Sequence, residues 1–190
     1  MCGRYQFSDG ENNEILDLIA RVKDAFPAKA FQSISFGEVF PGSTALAFIY
    51  VPASEKIRAL GMKWGFGGTR LVINARSETC FERPFFRDAK PCVLPASGYY
   101  EWSRNPRVKY YFTGPEKTMY LCGLFRRENN ELRFVILTQD ADEPQNLIHT
   151  RQPVLIPRAD VLAWIMKKDR ALAEKSTGPR FMREAQNSVV

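Results

Sequence analysis

Histidine occurs once in this chain, at position 149, and none of the four cysteines forms a C-x-x-C pair. A lone imidazole without ligand spacing argues against a zinc site. Cys80, Cys92 and Cys122 stand apart, the last two among apolar neighbours, and read as small buried hydrophobes rather than a disulfide frame. No apolar run approaches the ~20 residues of a membrane span, and the N-terminus lacks a signal-peptide pattern. Repeats, low-complexity tracts and linkers are lacking too. What remains is a cytoplasmic chain of one domain, 1–190, expected to be monomeric and to need neither metal nor cofactor.

Hydrophobic residues make up 45% and charged residues 25%, a composition that packs a core. Lys and Arg outnumber Asp and Glu by 27 to 21, leaving +6. That surplus suits a polyanion such as nucleic acid, although modest basicity is common in proteins that bind nothing acidic.

Ser8 and Glu11 have capping-box spacing, and Ile15, Leu18, Ile19, Val22 and Phe26 follow at helical intervals up to Pro27. From residue 45 the pattern becomes short β-branched and aromatic runs. These are Ala45–Val51, Ile57–Trp64, Leu71–Asn74, Pro91–Leu94, Gly98–Trp102, Val108–Thr113, Thr118–Phe125 and Leu132–Thr138. Asn129-Asn130 supplies hairpin chemistry between the last two, because Asn tolerates positive φ. A second helix is expected over Arg158–Lys167, and the polar stretch from Lys168 is expected to be a loosely held tail. Many strands with helices at the ends predict an α+β fold, a curled, mostly antiparallel sheet or partial barrel flanked by a few helices.

Cys2 sits directly behind Met1 and ahead of Gly3. Aminopeptidases trim Met before small residues, so the mature chain is expected to begin with an amine and a thiol on one carbon. Such a 1,2-aminothiol condenses with an aldehyde to an imine, and the sulfur then closes a thiazolidine. The two groups have ordinary pKa values of roughly 8 and roughly 8.5, so both are partly deprotonated near neutrality.

Four further segments are polar where a plain strand protein has no need of it. Asn74-Ala75-Arg76-Ser77-Glu78 follows an apolar strand, and Glu101 stands between Tyr100 and Trp102. His149-Thr150-Arg151 precedes a short apolar run, and Trp64-Gly65-Phe66 abuts Gly67-Gly68. Each has an ordinary alternative. Asn74 can satisfy turn backbone, Glu101 can be the outward residue of a strand, a lone histidine is commonly just packed, and Trp64 suits a core.

Taken with Cys2, however, these segments resemble the SRAP (SOS response-associated peptidase) family, whose members cross-link themselves to abasic sites in single-stranded DNA. The resemblance rests on Met1-Cys2-Gly3-Arg4-Tyr5, Met62-Lys63-Trp64-Gly65-Phe66, Asn74-Ala75-Arg76-Ser77-Glu78-Thr79, Cys92 through Trp102, and Ile148 through Val154, in that order. It implies that Cys2 traps the ring-opened aldehyde of the abasic sugar. Asn74 then orients Cys2, and Glu101 is the general acid/base for imine formation and for cleavage of the peptide bond before Cys2. His149 protonates the sugar oxygen as the ring opens, and Arg4, Arg76 and Arg151 contact phosphates, with Trp64 stacking on a neighbouring base. The physics agrees: imidazole exchanges protons near neutral pH, desolvation lifts a carboxylate's pKa, and guanidinium groups grip phosphates at two points.

The chain departs from the family pattern at the short Gly67-Gly68-Thr69-Arg70 segment, at Glu38 in place of a common Asn, at Gln152 in place of a usual Met, and beyond Trp164. Glu38 beside a phosphate path is expected to weaken DNA binding by repulsion. Two rival readings stand beside this one. An N-terminal-nucleophile amidotransferase also begins Met-Cys-Gly but needs His-Arg-Gly and Asn-Gly-Glu segments, which this chain does not carry. The other rival is a non-covalent single-stranded DNA module in which Cys2 is incidental.

Overall fold

Asn129 and Asn130 adopt φ of 46° and 65° in the computed structural model, the positive values that a two-residue hairpin demands. The structure describes residues 2–185 except positions 9, 68, 69, 168, 169, 175 and 177. Its strands are β1 (Tyr5–Gln6), β2 (Glu38–Val39), β3 (Thr44–Val51), β4 (Lys56–Trp64), β5 (Asn74–Arg76), β6 (Lys90–Ala96) and β7 (Gly98–Trp102). They continue with β8 (Lys109–Thr113), β9 (Met119–Glu128), β10 (Glu131–Asp140), β11 (Arg151–Pro153), β12 (Leu155–Ile156) and β13 (Phe181–Glu184). Four α-helices accompany them among the described residues: α1 (Asn13–Ala25), α2 (Ala28–Gln32), α3 (Val161–Lys167) and α4 (Arg170–Glu174).

The expected α+β architecture is what the chain adopts, with two sheets in place of one. The smaller runs β13-β8-β7-β1-β2. The larger runs β11-β10-β4-β3-β6-β9-β12, with β5 also on β10. Because β9 pairs with β10 through the Asn129-Asn130 hairpin, the larger sheet curls back on itself. The link between β3 and β6 is a single pair, Phe48 with Val93, so the sheet is ring-like without being a closed barrel. The pairs β10–β4 and β10–β5 are parallel, and the rest are antiparallel.

Local chemistry moves some boundaries. Asn12, not Ser8, caps α1: its side chain accepts from the Ile15 N–H at 3.3 Å. The Asn12 amide also donates to the Lys117 carbonyl at 2.7 Å, so one residue caps the helix and ties it to the segment ahead of β9. Ser8 instead closes a turn by accepting from Gly10 N–H. The expected strand Leu71–Asn74 lies later, at β5, so Asn74 opens a strand rather than ending one. The tail that was expected to be loose contributes α4 and the edge strand β13, which pairs with β8; residues 186–190 lie outside the described residues.

Two apolar clusters fill the interior. One gathers Cys2, Tyr5, Phe7, Trp64 and Phe134 between the sheets; the other packs Ala75, Val93, Cys122 and Trp164 under α3. Gly98 begins β7 where a Cβ would stand 2.5 Å from the Tyr111 ring and 2.6 Å from the Phe112 carbonyl oxygen. Gly98→Ala is therefore expected to cost about 1–3 kcal/mol in urea denaturation, and a stability equal to the parent's would contradict this packing.

Candidate functional site

Alternation along β7 decides which side chains meet. Tyr99 and Glu101 face inward, at 0% and 5% exposure, while Tyr100 and Trp102 face the other way. Glu101 is thus an interior carboxyl, and the interior rather than its sequence neighbours desolvates it. Strand β1 pairs with β7 through Tyr5–Tyr99, and the Tyr100 N–H donates to the Arg4 carbonyl at 2.9 Å. This short pairing lays Cys2 beside the inward face.

Cys2 is fully buried. Burial pushes its thiol well above the ordinary range, and the Glu101 charge pushes it further. Its carbonyl accepts from Asn74 Nδ2 at 2.9 Å across 72 positions of sequence. Asn74 reaches it because β5 is held on β10 in parallel register, Ile136 opposite Asn74. The Asn74 Oδ1 is buried without a hydrogen-bond partner among the described residues. Such an orphaned acceptor is costly unless a donor arrives.

Burial also raises the Glu101 carboxyl to about 7, against the lowering pull of the chain's amino-terminal charge. His149 is half-buried, and its pKa is lowered, first by burial and then by that same amino-terminal charge. The Nδ1 of His149 accepts from the Arg151 N–H at 3.0 Å, so the neutral ring carries its proton on Nε2. The fold brings Asn74 to the Cys2 carbonyl and Glu101 close enough to act on the Cys2 thiol, while His149 stands just ahead of β11.

The other expected contacts fare differently. Trp64 is corrected: it is fully buried between Tyr5 and Phe134, its Nε1–H bonded to the Ile73 carbonyl at 2.9 Å, and it presents no face to a base. Arg151 is already engaged, with Nη1 at 2.7 Å from Glu78 and 2.6 Å from Asp140, and Nη2 at 2.9 Å from Glu78 and 2.6 Å from the Thr138 carbonyl. Thr138 pairs with Arg76 on one edge of β10 and Pro153 on the other, so Arg151, the first residue of β11, braces that strand against β10 and the segment that follows β5. Its geometry is that of a brace. Arg4 lies on the outward face, over the rings of Phe40 and Trp102, and pairs with Glu38 at 3.2 Å. Glu38 also pairs with the buried Lys109 at 2.9 Å, so it neutralises two cations rather than standing as a free repelling charge. Arg76 alone of the three expected arginines is exposed with no acidic partner among the described residues.

Sequence reasoning missed Gln145. It is completely buried, accepts from the Tyr99 hydroxyl at 3.2 Å and donates to the Arg151 carbonyl at 3.2 Å, joining the strand of Glu101 to the segment of His149. A glutamine in a polar loop carries no local signal of such burial. Also missed were Arg83 and Phe85, which with Arg76 and Asn74 line a cleft of about 610 Å³.

A family model described as SOS response associated peptidase (SRAP) matches residues 1–188. Abasic site processing protein YoqW of Bacillus subtilis (strain 168) is 34% identical, over 89% of this chain and 82% of its own length. Abasic site processing protein YoaM of the same organism is 27% identical, over 89% of this chain and 81% of its own. Among solved structures, a protein from Bacteroides thetaiotaomicron superposes with a TM-score of 0.73 at 18% identity, covering 98% of this chain and 93% of that one. A phage-related protein from Bordetella bronchiseptica gives 0.71 at 20% identity, covering 99% and 96%. These two structures establish the shared fold.

A carboxyl whose folded pKa is raised stabilises the fold fully below its unfolded value and loses that contribution as pH rises through about 7. Glu101→Gln, which cannot ionise, is thus expected to be the more stable protein at pH 8, by on the order of 2 kcal/mol, with no advantage at pH 4. Thermal unfolding at the two pH values measures this, and equal differences at both would refute the buried carboxyl.

Proposed function

Since the chain belongs to the SOS response-associated peptidase family, we propose that it processes abasic sites in DNA by joining Cys2 covalently to the open-ring aldehyde of the lesion. The relatives at 34% and 27% identity are named as abasic site processing proteins, which supports this substrate. The observation that carries the reading is the 2.9 Å bond from Asn74 to the Cys2 carbonyl, beside a buried carboxyl held at about 7.

The chemistry follows from the protonation states. Removal of the residue before Cys2 frees its α-amine, and Glu101 serves as the acid/base group for that cleavage. His149 donates a hydrogen bond from its Nε2–H to the sugar ring oxygen and so polarises the ring C–O bond. As that bond breaks, water gives the ring oxygen its proton and takes the one that the anomeric hydroxyl releases on becoming the aldehyde carbonyl. The thiol stays protonated because it is buried, so the amine acts first. Its lone pair adds to the aldehyde carbon, and the Glu101 carboxylate takes the nitrogen's proton and returns it to the departing hydroxyl. Water leaves and an imine forms. The S–H then adds across C=N, sulfur bonding to carbon and the proton going to nitrogen, which closes the thiazolidine. The orphaned Asn74 Oδ1 is suited to accept an N–H from the ring.

Single-stranded DNA is the substrate form that this site fits, because a sugar must reach a buried amine and a paired strand obstructs that approach. Incubating the trimmed protein with an abasic oligonucleotide is expected to give a band that survives denaturing electrophoresis, and Cys2→Ala should abolish it. A band of equal intensity from Cys2→Ala would remove the covalent reading and leave a non-covalent DNA-binding module.

The pH dependence has a definite sign. Adduct formation is expected to rise as pH passes about 7, because Glu101 must be ionised to accept a proton. In Glu101→Gln the remaining limb moves up to that of the α-amine, roughly 8. A parent profile without a limb near 7 would take Glu101 out of the proton-transfer role.

A further inference from the structure

The cleft beside Asn74 is larger than an abasic sugar requires. It holds about 610 Å³ and runs from Asn74 and Arg76, past Thr79, to Arg83 and Phe85. A lesion that has lost its base offers nothing to cover an aromatic wall, yet Phe85 is 42% exposed at the far end. Resting on the proposed function above, we propose that this cleft is a nucleotide pocket: it takes the base of the nucleotide adjoining the abasic site, stacked on Phe85, with its phosphate held by Arg76 and Arg83.

The wall is built before any ligand arrives. Phe85 lies in the short turn Pro84–Phe86 and meets Phe86 edge-on at 4.9 Å. The Arg126 guanidinium covers it from behind, 4.5 Å from its ring centre and 4.3 Å from that of Phe66. Arg126 in turn donates to the Phe85 carbonyl and to Glu128. Glu128 also accepts from the Gly67 N–H at 2.9 Å, fixing the start of the shortened loop against the same wall. A ring held on one side and open on the other is the platform on which single-stranded bases stack, irrespective of sequence.

The charges also fit. Arg76 and Arg83 are exposed and have no acidic partner among the described residues, whereas Arg151, which borders the same cleft, is taken up by Glu78 and Asp140. Two free guanidiniums beside an aromatic face complement a nucleotide better than a neutral or cationic ligand.

A thermodynamic cycle tests the pocket without the covalent step. The probe is single-stranded DNA carrying one tetrahydrofuran residue, an abasic analogue with no aldehyde. Two companion oligonucleotides replace the base on its 5′ or its 3′ side by a second tetrahydrofuran. Removing one of these two bases is expected to weaken binding by the parent about tenfold, and Phe85→Ala to weaken binding to the single-lesion probe by a similar factor. Phe85→Ala should then bind the single- and double-lesion probes alike, whereas Phe85→Trp should keep the parent's discrimination. Arg83→Ala is expected to reduce the salt slope of log K by roughly 0.7, the share of one phosphate on a single strand. Persistent discrimination in Phe85→Ala, or an unchanged slope in Arg83→Ala, overturns the pocket. Adducts formed on natural abasic DNA without any Phe85-dependent discrimination sink the pocket and leave the proposed function standing. Discrimination on the analogue without adducts on natural lesions does the reverse.

Discussion

The hydrogen-bonded seam between the two-residue strand Tyr5–Gln6 and Gly98–Trp102 is the constraint from which the site follows. It pairs Tyr5 with Tyr99 and Gln6 with Gly98, and strand alternation does the rest. Once Tyr99 is inward, Glu101 is inward too, and once Tyr5 is inward, the chain ahead of it passes over that carboxyl. Strand β2 closes the other side through Tyr5–Val39, so the segment is clamped between two neighbours despite its length. A one-residue slip would turn Glu101 to solvent and return its pKa toward that of an ordinary glutamate.

That burial gives the site its chemical character. Glu101 is held near neutrality, His149 is kept neutral with its proton on Nε2, and the Cys2 thiol is kept protonated. A thiolate nucleophile, as in a cysteine hydrolase, needs the opposite tuning: a positive neighbour and a lowered pKa. Here a carboxyl stands beside the thiol and burial raises it. A protonated sulfur suits the proposed reaction, in which the amine acts first and the sulfur follows, better than it suits acyl transfer from glutamine.

Much of this could be read in the sequence, and the remainder failed for one reason. The strands from Thr44 to Asp140 announce themselves by β-branched and aromatic runs, and the Asn129-Asn130 turn by its tolerance of positive φ, because these are local properties. Asn74, Glu101 and His149 stood out in segments unexpectedly polar for a strand protein, and Cys2 by its place directly behind Met1. Partner choice across the fold is not local. Nothing near Arg151 announces Glu78 and Asp140, which lie 73 and 11 positions away, and nothing near Arg4 announces that Glu38 would claim it. Trp64 reads the same whether its indole stacks on a base or donates to the Ile73 carbonyl inside the core.

These pairings alter what the net charge of +6 means. Arg4, Lys109, Arg126, Arg133 and Arg151 all direct their charge to carboxylates within the protein. Ion pairs of this kind contribute little attraction to a distant polyanion, since the field of each cation is cancelled by its partner within a few ångströms. The cations that can act on DNA are those left over, and beside Asn74 they are Arg76 and Arg83. The mouth of the cleft thus keeps positive charge that these paired cations do not offer. Charge at the cleft serves the proposed reaction better than charge far from it, because each phosphate gripped away from the site adds affinity for every sequence while adding nothing to the reaction.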